Sequence, residues 1–160
     1  MRVAAIGLAI LFFVGAFFVV FKGVRSSEDN RRLELTTHEL VVNLREDLLK
    51  NRLQSGGDPD AVDPDGEPVI CWASEHPEAS GVLRVLLEAG ANADTKCGRI
   101  SVLEAAVRSQ NLPGVKLLLR YSTEMNVLEL RKLKQNAPSK AIERALEEAI
   151  RKAGAPAKES

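Results

Sequence analysis

Five carboxylates crowd into the segment "DPDAVDPDGE", residues 58–67, and clustered oxygen ligands are the chemistry that Ca²⁺ selects. A calcium loop places its ligands at alternating positions before a glycine and ends on a Glu six residues later. With Gly66 at the glycine position, Ala61 falls on the first ligand position and Trp72 on the final Glu. The pattern therefore argues against calcium. Two interpretations remain: a solvated turn rich in Asp and Pro, or an acidic finger that contacts a basic partner.

No constellation for covalent or acid–base catalysis is recognisable in the sequence. Cys71 and His76 are five residues apart, which does not bring them together on a helix, and no third group completes a triad. His38 stands alone, and the chain has no phosphate loop and no dinucleotide glycine motif. We therefore predict that the protein is not an enzyme and has no cofactor, no catalytic residue, no metal site and no small-molecule substrate.

An apolar block, "VAAIGLAILFFVGAFFVVF", occupies residues 3–21 and contains all five Phe of the protein. As a helix it would span roughly 28 Å, close to the hydrocarbon thickness of a bilayer. A cleaved signal peptide is the alternative, but the best cleavage site, Val24-Arg25-Ser26, is poor. We predict an uncleaved transmembrane helix and an otherwise aliphatic core, since only Trp72 and Tyr121 are aromatic beyond the block.

The charge that flanks this block favours a cytoplasmic globular part. Only Arg2 and the amino terminus precede it, whereas four cations follow it: Lys22, Arg25, Arg31 and Arg32. The two cysteines, Cys71 and Cys97, fit no paired metal spacing and are too few for a disulfide scaffold. A single disulfide is compatible with an oxidising compartment, so a periplasmic or other exported location stays open as the alternative.

The net charge is zero, but the charges are segregated along the chain. Residues 55–94 hold one basic side chain against nine acidic ones, and residues 95–160 hold thirteen basic against seven acidic. The basic excess is diffuse and has no aromatic stacking partners, so we expect no nucleic-acid binding.

A repeat with a period of 32 residues underlies the C-terminal part. The segment "VLLEAGA" at 85–91 aligns with "LLLRYST" at 117–123 and "AIRKAGA" at 149–155. Upstream of the second helix, "PVICWASE" at 68–75 aligns with "ISVLEAAV" at 100–107. Each unit reads as a glycine turn, a short helix, a second helix and a glycine stop, and such periods are typical of stacked repeat arrays.

These residues resemble the ankyrin repeat family, whose pattern is a Gly turn, Thr-Pro-Leu-His-x-Ala-Ala, and then Val-x-x-Leu-Leu-x-x-Gly-Ala. Gly66, Ile70 and Ala73 match in one unit, and "LLEAGANAD" is the most specific match. The family's Thr-Pro-Leu-His reads Pro68-Val69-Ile70-Cys71 and then Ile100-Ser101-Val102-Leu103, so the Thr cap and the bridging His are absent both times. Pro68 in a first helical turn and a Ser101–Glu104 capping box are local substitutes.

The resemblance implies an all-α, ankyrin-like solenoid of stacked helix pairs behind one transmembrane helix. At its start, a Thr36–Glu39 capping box predicts one helix or a helix pair over 37–54, and at its end Ser139 and Gly154 are expected to bound a terminal helix. The expected divisions are a transmembrane helix at 3–21, a linker at 22–30, a repeat domain at 31–156 with its clearest repeats at 63–94 and 95–126 and degenerate caps on both sides, and a tail at 157–160.

The resemblance also implies binding through turn tips and the first-helix face. Trp72 is either a core residue or, beside the acids, a contact residue. The candidate partner-binding residues are Asp58, Asp60, Asp63, Asp65, Glu67, Trp72, Lys96 and Arg99. We expect a membrane-anchored module that holds a partner protein with a basic surface. A self-associating membrane scaffold and an exported protector of an enzyme are the alternatives.

Overall fold

The structure is a computed structural model, and it describes residues 35–124 and 126–154. The expected transmembrane helix at 3–21, the linker at 22–30 and the tail at 157–160 lie outside the described residues. The chain divides after Leu35, and the following account concerns the unit that begins at Thr36. None of the helices in this described part is both long and apolar enough to cross a bilayer.

The described residues form eight α-helices and one two-stranded hairpin, which confirms the all-α class. The helices are α1 (Thr37–Val42), α2 (Glu46–Gln54), α3 (Val69–Glu75), α4 (Ser80–Glu88), α5 (Val102–Arg108), α6 (Leu112–Tyr121), α7 (Val127–Gln135) and α8 (Lys140–Ala153). A 3-10 turn, Pro77–Ala79, links α3 to α4. The hairpin pairs β1 (Lys96–Cys97) with β2 (Ile100–Ser101) in antiparallel register.

Helices pack in a regular order along the chain. Each helix contacts the next within a pair: α1 with α2, α3 with α4, α5 with α6, and α7 with α8. Between pairs, α1 contacts α3 and α3 contacts α5, while α2 contacts α4, α4 contacts α6, and α6 contacts α8. Ala73 on α3 and Ala105 on α5 are both buried, in keeping with the close approach of two helices at small residues.

The core is aliphatic, as the sequence predicts for this part of the chain. Its largest fully buried side chains are leucine, isoleucine and valine, whereas Trp72 and Tyr121 are only half-buried. On α8 the buried positions are Ile142, Leu146 and Ala149, and Glu147 and Glu148 face solvent. The described part therefore ends on a helix with one apolar face, as the sequence suggests for a terminal unit.

Side-chain caps begin several of the helices. Thr36 and Glu39 form the predicted reciprocal capping box, with the Glu39 backbone N–H donating to Thr36 Oγ1 at 3.2 Å. Ser139 accepts from the Ile142 N–H. Ser101 caps α5 through the Glu104 N–H at 3.1 Å. However, the predicted return bond is absent because the Glu104 carboxylate pairs with Arg108 instead.

The position of Pro68 differs from the prediction that it lies in the first turn of a helix. It precedes Val69, the first residue of α3, and adopts an extended backbone at the N-cap position instead of lying in the first turn.

Gly56 and Gly90, which are 34 residues apart, both lie at the end of a helix. Gly90 has φ +97°, the Gly90 N–H donates to the Leu87 carbonyl, and the Ala91 N–H donates to the Leu86 carbonyl. This pair of bonds is the Schellman motif, which satisfies the last carbonyls of a helix. Gly56 closes α2 in the same way with φ +92°.

Two further helices end in the same motif without glycine. Leu44 after α1 has φ +54° and Gln110 after α5 has φ +56°. At Gln110 the N–H donates to the Val107 carbonyl, and the next N–H, of Asn111, donates to the Ala106 carbonyl. An L-residue with a side chain held in the left-handed region carries a conformational cost of about 1–2 kcal/mol.

Gln110→Gly is expected to raise the free energy of unfolding by about 0.5–1 kcal/mol, since Gln110 is exposed and loses no buried contact. Gly90→Ala makes the reverse change at the same position of another helix end and should lower the free energy of unfolding by about 1 kcal/mol. A Cβ at Gly90 meets nothing within 4 Å, so this cost is conformational alone. Urea unfolding of both variants measures the two signs, and an unchanged or lower stability for Gln110→Gly would contradict the motif.

A disulfide joins α3 to the hairpin. Cys71 on α3 and Cys97 on β1 are bonded, with their Cα atoms 5.5 Å apart and a sequence separation of 26. Both residues are buried. The sequence left a single disulfide open but did not establish it, because the distance between two cysteines so far apart in the chain depends on the tertiary fold.

Replacing both cysteines by serine is expected to lower the free energy of unfolding by about 3 kcal/mol, because the bond closes a medium-sized loop in the unfolded chain. Urea unfolding with and without reductant measures the same difference on the unmodified protein. Coincident unfolding curves in the two conditions would show that the bond does not stabilise the unit.

Candidate functional site

The acidic turn, residues 58–67, is built by some of its own carboxylates. Asp58 Oδ1 accepts from the Asp60 N–H at 2.9 Å. Asp63 Oδ1 accepts from the N–H groups of Asp65 and Glu67, each at 2.9 Å. In this turn the carboxylates of Asp58 and Asp63 accept hydrogen bonds from the backbone, and such bonds favour the turn conformation.

Asp65 and Glu67 are the carboxylates that this turn leaves available. Both residues are exposed, and neither carboxylate takes part in the hydrogen bonds that form the described turn. Val62, between them and the start of the turn, is 55 % exposed and pairs through its backbone with Pro68. Asp65 and Glu67 are therefore the exposed carboxylates of the turn whose oxygens make none of these bonds.

The hairpin lies directly beside the acidic turn and carries charge of the opposite sign. The Asn92 N–H donates to Asp60 Oδ1 at 2.8 Å and ties the segment that leads into the hairpin to the turn. The Cys71–Cys97 disulfide, next to Lys96, joins the hairpin to α3, the helix that follows the acidic turn. Lys96 and Arg99 are both exposed. We name the acidic turn 58–67 and the segment 92–101 together the turn edge.

Trp72 is half-buried on α3, between the two alternatives that the sequence leaves open. Its ring stacks on that of His76, with centroids 4.1 Å apart and planes inclined by 19°. His76 Nδ1 lies 2.7 Å from the Trp72 carbonyl, so this nitrogen is the donor. The stacked rings are neither core nor free surface, and they lie on the same helix that holds Cys71.

Asp94 repeats the bridging role of Asp60 one unit later. Asp94 Oδ2 accepts from the N–H of Thr123 at 2.9 Å and of Glu124 at 3.2 Å, and the Ser122 hydroxyl donates to the other oxygen. Partial burial works to raise the pKa of the Asp94 carboxyl, but these hydrogen bonds outweigh it and hold the pKa below its ordinary value.

The Asp94 contribution to stability should therefore be present above the ordinary carboxyl pKa of about 3.9 and be lost as the pH falls through the lower folded-state pKa. Asp94→Asn keeps the shape but not the charge, and it should cost about 1–2 kcal/mol at pH 7. Urea unfolding from pH 7 to pH 2.5 should show the gap between the two proteins narrowing with acid. A gap that stays constant would mean that the charge of Asp94 contributes nothing.

Asn111 is a buried polar residue that links two helices, a role that the sequence analysis did not predict. Its Nδ2 donates to the Ser74 carbonyl at 2.9 Å, and its Oδ1 accepts from the Gly114 N–H at 2.9 Å. A Cβ at Gly114 would lie 2.6 Å from Asn111 Nδ2, which explains a glycine within α6. Asn111 thus connects the start of α6 to the end of α3.

The structure brings the two charged groups of predicted residues together along the turn edge. Asp60 is bonded to Asn92, in the segment that leads to Lys96 and Arg99, while the disulfide joins their hairpin to α3, where Trp72 follows Cys71. Over residues 35–124 and 126–154, no three His, Cys, Asp or Glu side chains are grouped to hold a metal ion. Sequence reasoning missed the bridging role that Asp60 and Asp94 share. The signal that could have found it is their spacing of 34 residues, which equals that of Gly56 and Gly90.

No protein-family model matches the chain, and no curated protein matches it significantly.

Proposed function

We propose that this protein is a membrane-anchored, non-enzymatic binding module in which an ankyrin-like stack of helix pairs presents its turn edge to a partner protein. The observation that supports the proposal best is the order of helix contacts. First helices meet first helices from α1 to α5, and second helices meet second helices from α2 to α8. In such an array, consecutive turns are expected along one edge.

The bracing between consecutive turns supports the use of that edge for binding. Asp60 bonds the backbone at Asn92, and Asp94 bonds the backbone at Thr123. The Cys71–Cys97 bond adds a covalent link at the hairpin. A surface that is ordered before it meets its partner loses little conformational entropy on binding.

The charges of the turn edge suggest how a partner is oriented. Asp65 and Glu67 point out of the acidic turn, while Lys96 and Arg99 point out of the neighbouring hairpin. A partner with a basic patch beside an acidic one would match both turns in a single orientation. Complementary charge of this kind speeds encounter and selects orientation more than it adds affinity.

Photo-crosslinking from within the edge tests the location of the surface. A photoreactive residue replaces Asp65 or Arg99 in the full-length protein in its own membrane, and Glu88, exposed on α4, is the matched control position. Adducts of one defined mass from positions 65 and 99, and none from position 88, are expected. Adducts from position 88 alone would refute the turn edge. A product at twice the mass of the chain would favour the self-associating scaffold.

Neutralising the outward acids tests the role of charge on the partner that the crosslink identifies. Asp65→Asn with Glu67→Gln should weaken binding about 3- to 10-fold at low salt, because each exposed charge pair contributes up to about 1 kcal/mol. The loss should shrink as the salt concentration rises, since screening removes the same attraction. Glu88→Gln is the control and should change nothing. Equal affinity for the double variant and the unmodified protein, measured at low salt, would leave the electrostatic part without support.

A further inference from the structure

Both cysteines of the chain take part in one buried disulfide bond. The sequence contains two cysteines, and the structure pairs them as Cys71–Cys97. Cys71 is 1 % exposed and Cys97 is 6 % exposed, and they come from different elements, a helix and the hairpin of the following unit. Their Cα atoms are 5.5 Å apart, within the range that disulfides adopt without backbone movement.

From this bond we infer that the described unit works on an oxidising side of the membrane, so that its partner is a protein of an exported compartment and not of the cytosol. Disulfides persist in exported compartments, whereas cytosolic thiols are kept reduced. The inference concerns where the unit lies. The location of the unit does not use the binding proposed above and can fail or hold independently of it, whereas the compartment of the partner rests on that proposed function.

The bond forms by exchange with an oxidant that itself carries a disulfide, the class of protein that introduces such bonds in oxidising compartments. One cysteine thiolate attacks the oxidant's disulfide and forms a mixed disulfide. The second cysteine then displaces the oxidant. The oxidant leaves with two electrons and two protons as a dithiol, and the Cys71–Cys97 bond remains.

Burial gives the bond a structural role and not a reactive one. A reactive cysteine is exposed in an electropositive surrounding, and neither sulfur has that exposure. Beyond this bond, the hairpin is held by two-residue strands and by the Val102 N–H, which donates to the Thr95 carbonyl at 3.1 Å. The disulfide therefore braces a part of the turn edge whose strands are only two residues long.

The cations that follow the apolar block favour the other side of the membrane. Lys22, Arg25, Arg31 and Arg32 outnumber Arg2, and cation excess usually stays cytoplasmic. The flanking charge and the disulfide therefore predict opposite sides of the membrane for the same domain. The oxidation state of Cys71 and Cys97 in living cells decides between them, because it is measured on the domain itself.

The test is thiol trapping in intact cells that make the full chain. Acid quenching unfolds the protein and freezes exchange, and a maleimide polymer then adds a fixed mass to each free thiol. We expect the unmodified chain to show no addition before reduction and two additions after it. Cys71→Ser provides the one-thiol marker and Cys71→Ser with Cys97→Ser the no-thiol marker. Since all samples are denatured before labelling, the markers do not depend on folding.

Two additions on the unmodified chain without reduction would overturn the inference. A protein with known reduced cytosolic thiols, trapped in the same sample, confirms that the quench did not oxidise thiols. A C-terminal phosphatase fusion that is active only after export gives an independent measure. An active fusion supports an exported unit, and an inactive fusion made in the same amount contradicts it.

Discussion

Burial of aliphatic side chains between neighbouring helix pairs is the interaction on which the rest of this structure depends. The described helices are between six and fourteen residues long, and helices of this length are marginal in water by themselves. Each one is stabilised because its apolar stripe lies against the other helix of its pair, and α1 to α6 and α8 also contact a helix of a neighbouring pair. The turns, the caps and the charged edge can be ordered only because this packing fixes the ends of the helices.

The turns in this protein are therefore consequences of the packing as well as links within it. Four helix ends share one hydrogen-bond pattern, at Leu44, Gly56, Gly90 and Gln110. The pattern returns the chain in a direction that lets the next helix pack. After α6 the position equivalent to Gly90 is Ser122, whose backbone is extended, and there Asp94 accepts hydrogen bonds from the N–H groups of Thr123 and Glu124.

Consecutive helix pairs are also joined by polar and covalent links. Asp60 and Asp94 join turn to turn, Asn111 joins the start of α6 to the end of α3, and the disulfide joins α3 to the hairpin. The link from Cys71 to the next helix pair is covalent, whereas the other links are hydrogen bonds. Such links add to the apolar contacts between neighbouring helix pairs.

The sequence by itself determined the helices, their pairing and most of their ends, because apolar periodicity, capping residues and glycine stops act over a few residues. Thr36, Ser139 and Gly90 were all predictable for this reason. Only the tertiary structure decided the pairing of Cys71 with Cys97, the bridging by Asp94, and the left-handed backbone at Gln110. Each of these depends on a group about 26 or more positions away or on packing that overrides local preference, and no local pattern encodes such distances.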